Sequence, residues 1–313
     1  MSPITNLVAL FNEIPTLSGF IKLVKLAFAR RRVHRTRLMR IGRHSIELPP
    51  GHLLDIYKIS HQMYDVHLQC IGAVIARKYP DFWAVDIGAN IGDSAAAITA
   101  MIDIPTVCIE GDPSFYQSLE SNSARLGSFI HQVNAYVGAQ RDTVTANEIF
   151  RSGGTARIGK RTPSPALAVG EVRVEMAPLA QLLEPFAAVN FKFLKIDTDG
   201  FDFTIIKNAL NWIESYRPIV LFECDTSFPG CELAVATETT ESLHRVGYRT
   251  FLVFDNYGKF VAPVSDGLDA LNYMIANLSK SRQHRRGVKY LDIYAFHDMD
   301  SDLFTAFRSD MIR

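Results

Sequence analysis

The chain has 313 residues, 48% of them hydrophobic and 21% charged, and its 33 lysines and arginines balance 33 aspartates and glutamates. That composition excludes a mainly disordered or collagen-like polypeptide, and the length suffices for one large α/β domain or a domain with an appendage. Cys70, Cys108, Cys224 and Cys231 are spaced wrongly for a C-x-x-C zinc or redox motif, which points to a reduced, cytoplasmic setting.

The balanced charge hides an asymmetry. Between Ile14 and Ile46 there is no acidic residue, while Lys22, Lys25, Arg30, Arg31, Arg32, Arg35, Arg37, Arg40 and Arg43 are all positive. Leu17, Phe20, Ile21, Val24 and Phe28 recur at helical spacing, which predicts an amphipathic helix with lysines on its flank and an arginine cluster behind it. Two readings fit: a helix packed on the main domain with its arginines in water, the commoner outcome, or a peripheral docking element spanning residues 14–46 for an anionic membrane surface or polymer. Lys22 and Lys25 interrupt the apolar run a signal peptide would need, and no stretch approaches about 18 apolar residues, so a chain neither spanning nor secreted is expected. A nucleic-acid partner is disfavoured, because no aromatic-interleaved basic strand or recognition helix follows the cluster. Residues 1–80 as a whole read as a mostly helical, basic N-terminal extension, turning at Pro49-Pro50-Gly51.

From Phe82 the pattern alternates short apolar runs with helical periodicity, the mark of a parallel sheet wrapped by helices. Strands are expected at Phe82–Ile87, Thr106–Glu110, Phe129–Asn134, Phe191–Asp197, Pro218–Glu223, Tyr248–Phe254 and Lys289–Phe296. Helices are expected at Gly92–Met101, Pro113–Leu126, Asp202–Trp212, Thr237–Val246 and around Leu268–Leu278. Asp142–Glu184 interrupts the alternation with a Gly/Ser/Pro-rich stretch, Ser152–Pro165, and a short β-like run, Val172–Met176, so it reads as an insertion beside the sheet.

Three strand ends carry the chemistry. Asp86-Ile87-Gly88-Ala89-Asn90-Ile91-Gly92-Asp93-Ser94 joins a strand to an alanine-rich helix through a glycine turn, a cradle in which Gly88 and Gly92 admit close backbone approach. The G-x-G-x-x-G dinucleotide fingerprint fails at Asn90, and Asp86 would repel a pyrophosphate but suits an ammonium-bearing ligand such as S-adenosylmethionine. The next strand ends in Glu110, placed to accept both ribose hydroxyls, followed by Asp112 as a helix cap. In the third, Lys195 and Asp197 share one strand face and Asp199 continues it, a costly set to bury unless it faces a cleft. Asp197 or Asp199 can take the proton of an alcohol undergoing methyl transfer, with Lys195 orienting a carboxylate or the substrate oxygen; a purely structural Lys195–Asp197 pair is the plainer alternative. Glu223, one strand on, is a second candidate base or hydroxyl ligand, and no third ligand joins it and Asp197 in spacing that would hold a metal.

Through D-I-G-A-N-I-G at 86–92, E-G-D-P at 110–113 and K-I-D-T-D-G at 195–200, the sequence resembles the FkbM-type family of S-adenosylmethionine-dependent methyltransferases over roughly Ala84 to Phe254. The resemblance implies a Rossmann-like class I methyltransferase fold over 81–313, with seven strands, the last antiparallel, and helices on both faces. It also implies methylation of hydroxyl groups on sugars, polyketides or related metabolites. Asn134 and Ala135 fall where such a fold grips adenine. The family usually has Glu where Asp199 and Asp202 stand and Asp where Ala180 stands. The function expected is O-methylation of a saccharide or glycosylated metabolite; the rivals are a non-catalytic cofactor-binding scaffold docking through the basic N-terminus and a nicotinamide-dependent oxidoreductase.

Overall fold

In the computed structural model, which describes residues 17–145, 149–152, 155–158, 173–265, 267–282 and 287–312, the first element is helix α1 (Leu17–Arg32). A hairpin follows, β1 (Arg37–Ile41) and β2 (His44–Leu48), in register from Arg37 opposite Leu48 to Ile41 opposite His44. The extension is therefore less helical than its sequence suggests. Gly42, at φ +55°, makes the tight turn, and the alternation around it sends Ile41, Ile46 and Leu48 into the core. Helices α2 (Leu54–Ser60) and α3 (Val66–Ala76) complete the lead-in.

The alternation from β3 (Trp83–Ile87) onward runs through α4 (Asp93–Ile98), β4 (Thr106–Ile109), α5 (Pro113–Leu126) and β5 (Ile130–Val133). After β6 (Ala135–Val137), the insertion supplies β7 (Asp142–Thr145), β8 (Ile149–Ser152), β9 (Thr155–Ile158), β10 (Arg173–Ala177) and the short α6 (Leu179–Leu182). Of these, β6, β10 and β7 form a small sheet in that order, and most of the Gly/Ser/Pro-rich stretch lies outside the described residues. The chain then continues as β11 (Phe191–Ile196), α7 (Asp202–Tyr216), β12 (Ile219–Cys224), α8 (Leu233–Arg245), β13 (Tyr248–Asp255), β14 (Phe260–Val264), α9 (Asp269–Arg282), β15 (Leu291–His297) and α10 (Ser301–Ile312).

The main sheet has eight strands in the order β14-β13-β15-β12-β11-β3-β4-β5. The five from β5 to β12 are parallel, and β15, β13 and β14 pair antiparallel. The strand beyond the expected seven is β14, an edge strand, the place in a sheet where a proline such as Pro263 is tolerated. One face of the sheet is covered by α7, α8 and α9 through Phe203, Ile206, Leu243, Leu271 and Ile275. On the other face, Ile46, Leu68 and Ile71 of the lead-in and Phe307 of α10 join Ala84, Phe193 and Phe254 in one core cluster. Because β15 runs against its parallel neighbour, its first residues lie at the edge where β3, β4, β11 and β12 end. That topology collects polar groups from distant parts of the chain along one rim.

The basic stretch splits into two kinds of residue. Arg37 is buried and bonds the Asp55 carboxylate, at 2.8 Å from Nε, together with the carbonyls of Val33 and His52. Arg43 pairs with Asp103, and the Lys22 ammonium donates to the Ser60 carbonyl at 2.9 Å. These three act as struts, Arg37 buried, Lys22 half-buried and Arg43 exposed. Among the described side chains of α1, Leu26 and Ala29 are buried, whereas Ile21, Val24 and Phe28 of the apolar stripe face outward.

Candidate active site

The rim encloses a cavity of about 470 Å³. One wall is the turn after β3. Gly88 sits at φ +75°, and a Cβ there would lie 1.9 Å from the Asp197 carbonyl oxygen, so only glycine lets the ends of β3 and β11 approach. Asn90, also left-handed at φ 50°, donates its amide to Glu110 Oε2 at 2.8 Å, and the Asp112 amide donates to Oε1 at 2.6 Å. Burial pushes the Glu110 carboxyl up to about 7, against the pull of these two amides. As a carboxylate it has acceptor capacity beyond these two bonds, and it lines the cavity.

The remaining residues expected at this wall divide. Asn90, Asp93, Ser94, Glu110 and Ala135 line the cavity with Gly88. Ala89 and Gly92 are buried behind the turn, and the Asn134 side-chain amide donates to the Glu110 carbonyl at 2.9 Å, which fixes the end of β4. Asp112 accepts from the amides of Ser114 and Phe115 and so caps α5. Asp86 needs correction. It is fully buried, accepts from Ser94 Oγ at 2.5 Å, and lies 3.3 Å from the Lys195 ammonium. Being one strand position short of the rim, it holds an internal ammonium, and Asp93 is the carboxylate that reaches the cavity.

The opposite wall is built of carboxyl groups. Lys195 lies between Asp86 and Asp197, 3.1 Å from Asp197 Oδ2. Burial works against its charge, but the carboxylates of Asp197 and Asp86 outweigh it and hold its pKa well above the ordinary lysine value. Asp197, with a side chain 48% exposed, opens onto the cavity beside Asp199, which is left-handed at φ 49°. Beneath them Asp202 is buried; its Oδ2 accepts from Thr198 N at 3.1 Å and Thr198 Oγ1 at 2.7 Å, and its Oδ1 from Glu223 N at 3.1 Å. It fastens the ends of β11 and β12 together, and burial pushes its carboxyl up to about 7.

Glu223 faces Asp292 directly across the β12–β15 ladder. Burial, reinforced by Asp197 and Asp202, pushes Glu223 well above the usual carboxylate range, and burial with Asp197 and Asp65 does the same to Asp292. Asp292 carries no motif and escapes sequence reasoning, as does Asp65, left-handed at φ 58°, 3.6 Å from Lys58 and pushed by burial up to about 6. Two histidines without a motif also line the cavity. His52 Nε2 lies 3.3 Å from Asn90 Oδ1, and His67 bonds the Tyr294 hydroxyl at 2.7 Å, burial pushing its pKa down to about 3 so that it stays neutral. Tyr57, Tyr64 and Tyr290 add aromatic surface. Among the described residues, no group of three His, Cys, Asp or Glu side chains is arranged to hold a metal ion. Nor is any described helix long and apolar enough to cross a membrane.

Residues 86–250, more than half of the chain, match the methyltransferase FkbM domain. No curated protein matches the chain. Similar solved structures include the methyltransferase FkbM from Methylobacillus flagellatus KT, with 14% identity and a TM-score of 0.35, covering 69% of this chain and 44% of that one. Human methyltransferase 10 domain containing protein matches at 10% identity and a TM-score of 0.44 over 90% and 97% of the two chains. Precorrin-6y C5,15-methyltransferase from Geobacter metallireducens GS-15 matches at 11% and 0.35, over 70% and 80%. This chain thus spans less than half the length of the first of these structures. The family match begins at Asp86 and takes in the glycine turn, Glu110 and the Lys195–Asp197 strand end, and on it the chain belongs to the FkbM family of methyltransferases.

Proposed function

We propose that the chain is an S-adenosylmethionine-dependent O-methyltransferase acting on a hydroxyl of a neutral, polyhydroxylated acceptor, a saccharide or glycosylated metabolite. The observation that carries this reading is that the glycine turn and the carboxyl wall share one cavity, with Asp197 where they meet. The turn fits the donor: it offers a ribose-ready carboxylate at Glu110, close backbone at Gly88 and Gly111, and a carboxylate at Asp93 for an amino group. Bound there, S-adenosylmethionine supplies an electrophilic methyl group.

Everything else falls to the chain's own side chains. Asp197 accepts the proton of the acceptor hydroxyl, and Lys195, pinned from behind by Asp86, fixes the orientation of that carboxylate. Glu223 and Asp292, whose burial favours their protonated forms, donate hydrogen bonds to neighbouring hydroxyls, while Asp65 and Asp199 accept them. One lysine among so many carboxyl groups disfavours a phosphorylated or polyanionic acceptor, nucleic acid included.

Calorimetric titration with S-adenosylmethionine and with NAD, followed by mass spectrometry of neutral and phosphorylated saccharides incubated with methyl-labelled donor, tests the reading. Donor binding with label on a neutral saccharide hydroxyl is expected. Binding without transfer to any hydroxyl would favour a scaffold, and NAD binding in place of the methyl donor would overturn the assignment.

A further inference from the structure

Among the described residues, helix α1 carries one apolar surface that is packed and a second that is exposed. Leu26 and Ala29 are buried, and α1 packs against α2 with Lys22 bonded to Ser60. Ile21, Val24 and Phe28 lie roughly a third of a turn away around the helix, 44%, 53% and 60% exposed. Spaced at i, i+3 and i+7, they form a continuous stripe. The same periodicity puts Lys25, Arg31 and Arg32 along its edges, and the Arg32 guanidinium stands 5.1 Å from the centre of the Phe28 ring.

The charge around the stripe is of one sign. Once Lys22, Arg37 and Arg43 are set aside as struts, Lys25, Arg30, Arg31, Arg32, Arg35 and Arg40 have no ion pair among the described residues, and the sequence from Ile14 to Ile46 offers no acid. We infer that α1 is an interfacial anchor that lays Ile21, Val24 and Phe28 into the surface of an anionic lipid bilayer, with the flanking cations on its headgroups. An apolar stripe edged by long cationic side chains, whose stems lie along the apolar surface while their heads stay in water, suits that boundary. Three side chains fall far short of the roughly 800 Å² per partner of a standard protein interface, and a second copy would bring like charges together. A nucleic acid would take the cations but leave the stripe in water. Because α1 rests on α2, whose Leu54 and Tyr57 line the cavity, docking holds the active site next to the bilayer.

Flotation of the full chain with vesicles of phosphatidylcholine alone, or with roughly one-third phosphatidylglycerol, tests this. Binding is expected only to the anionic vesicles, with release at about 0.5 M salt. Val24→Ser with Phe28→Ser, and separately Lys25→Gln with Arg31→Gln and Arg32→Gln, should each weaken binding by about tenfold or more, with melting temperature and donor affinity unchanged. The inference is overturned if the unaltered chain binds neither vesicle or both equally, or if either variant set binds as tightly as the unaltered chain. A dimer split by Phe28→Ser, with no vesicle binding, would show instead that a second copy covers the stripe.

Discussion

The wall from Gly88 to Tyr136 is shaped by a backbone turn, whereas the wall from Asp65 through Asp197 and Glu223 to Asp292 is rich in carboxyl side chains. The first is compact in sequence, and of its two acids, Asp93 and Glu110, the latter is held by two amides. The second is assembled from scattered elements, and folding works against it: burial pushes Asp65, Glu223 and Asp292 toward their protonated forms. Strain gathers around both. Among the described residues, three of the four non-glycine residues with positive φ, Asp65, Asn90 and Asp199, line the cavity, the fourth being Arg217. A chain keeps such conformations and such a gathering of acids where function requires them, so the backbone wall fixes a common ligand while the carboxyl wall is free to specify a particular one.

The comparison breaks most severely at the point where the walls touch. Gly88→Ala drives a Cβ into the Asp197 carbonyl from a left-handed backbone, and should cost about 3 kcal/mol or more of stability together with donor binding beyond detection. Chemical denaturation and calorimetry check both; normal values would mean that β3 and β11 do not meet there. The carboxyl wall is separable from the donor. Asp197→Asn keeps size and polarity but cannot take a proton, and should slow turnover about 10²-fold or more while the donor Kd barely moves. If turnover is normal the Lys195–Asp197 pair is structural and Asp199 becomes the candidate base. On the backbone wall, Glu110→Ala should weaken donor binding by about tenfold or more, the worth of charged hydrogen bonds to the ribose. An unchanged Kd would remove Glu110 from the donor site.

The backbone wall was legible because a strand, a glycine turn and a helix leave a local signature, and every strand from β3 to β13 except β6 to β9 falls within a residue or two of its apolar run. The carboxyl wall was legible only where acids end such a strand, at Asp197, Asp199 and Glu223. Asp292 begins an antiparallel strand, and Asp65 stands in a turn before α3; neither position announces itself, because only tertiary pairing brings them to the rim. The β1–β2 hairpin was hidden by its own arginines, which read as the tail of a basic helix although Arg37 is a buried partner of Asp55. The stripe on α1 was visible, but which face packs is decided by α2 rather than by periodicity. Asp86 misled for a related reason: an acid at a strand end signals a ligand only if nothing inside the protein claims it, and Lys195 does.

The smallest expected effect separates the walls by pH. Glu110 is raised by burial from 4.5 to about 7 in the folded chain, so between those values the folded state holds a proton that the unfolded state has released. Its contribution to stability is therefore fully present below 4.5 and lost as pH rises through about 7; Asp202, raised to about 7, has the same sign. Donor binding has the opposite sign, because the ribose hydroxyls need the ionised carboxylate. Between about pH 6 and about pH 8 the donor-free chain should melt at progressively lower temperature while donor affinity rises severalfold and levels off above about 7. Glu110→Gln should flatten the affinity profile but leave the share of the stability profile that belongs to Asp202. An affinity independent of pH in the unaltered chain would mean that Glu110 stays ionised throughout, its two amides outweighing its burial, and the two walls would then differ in charge state as well as in material.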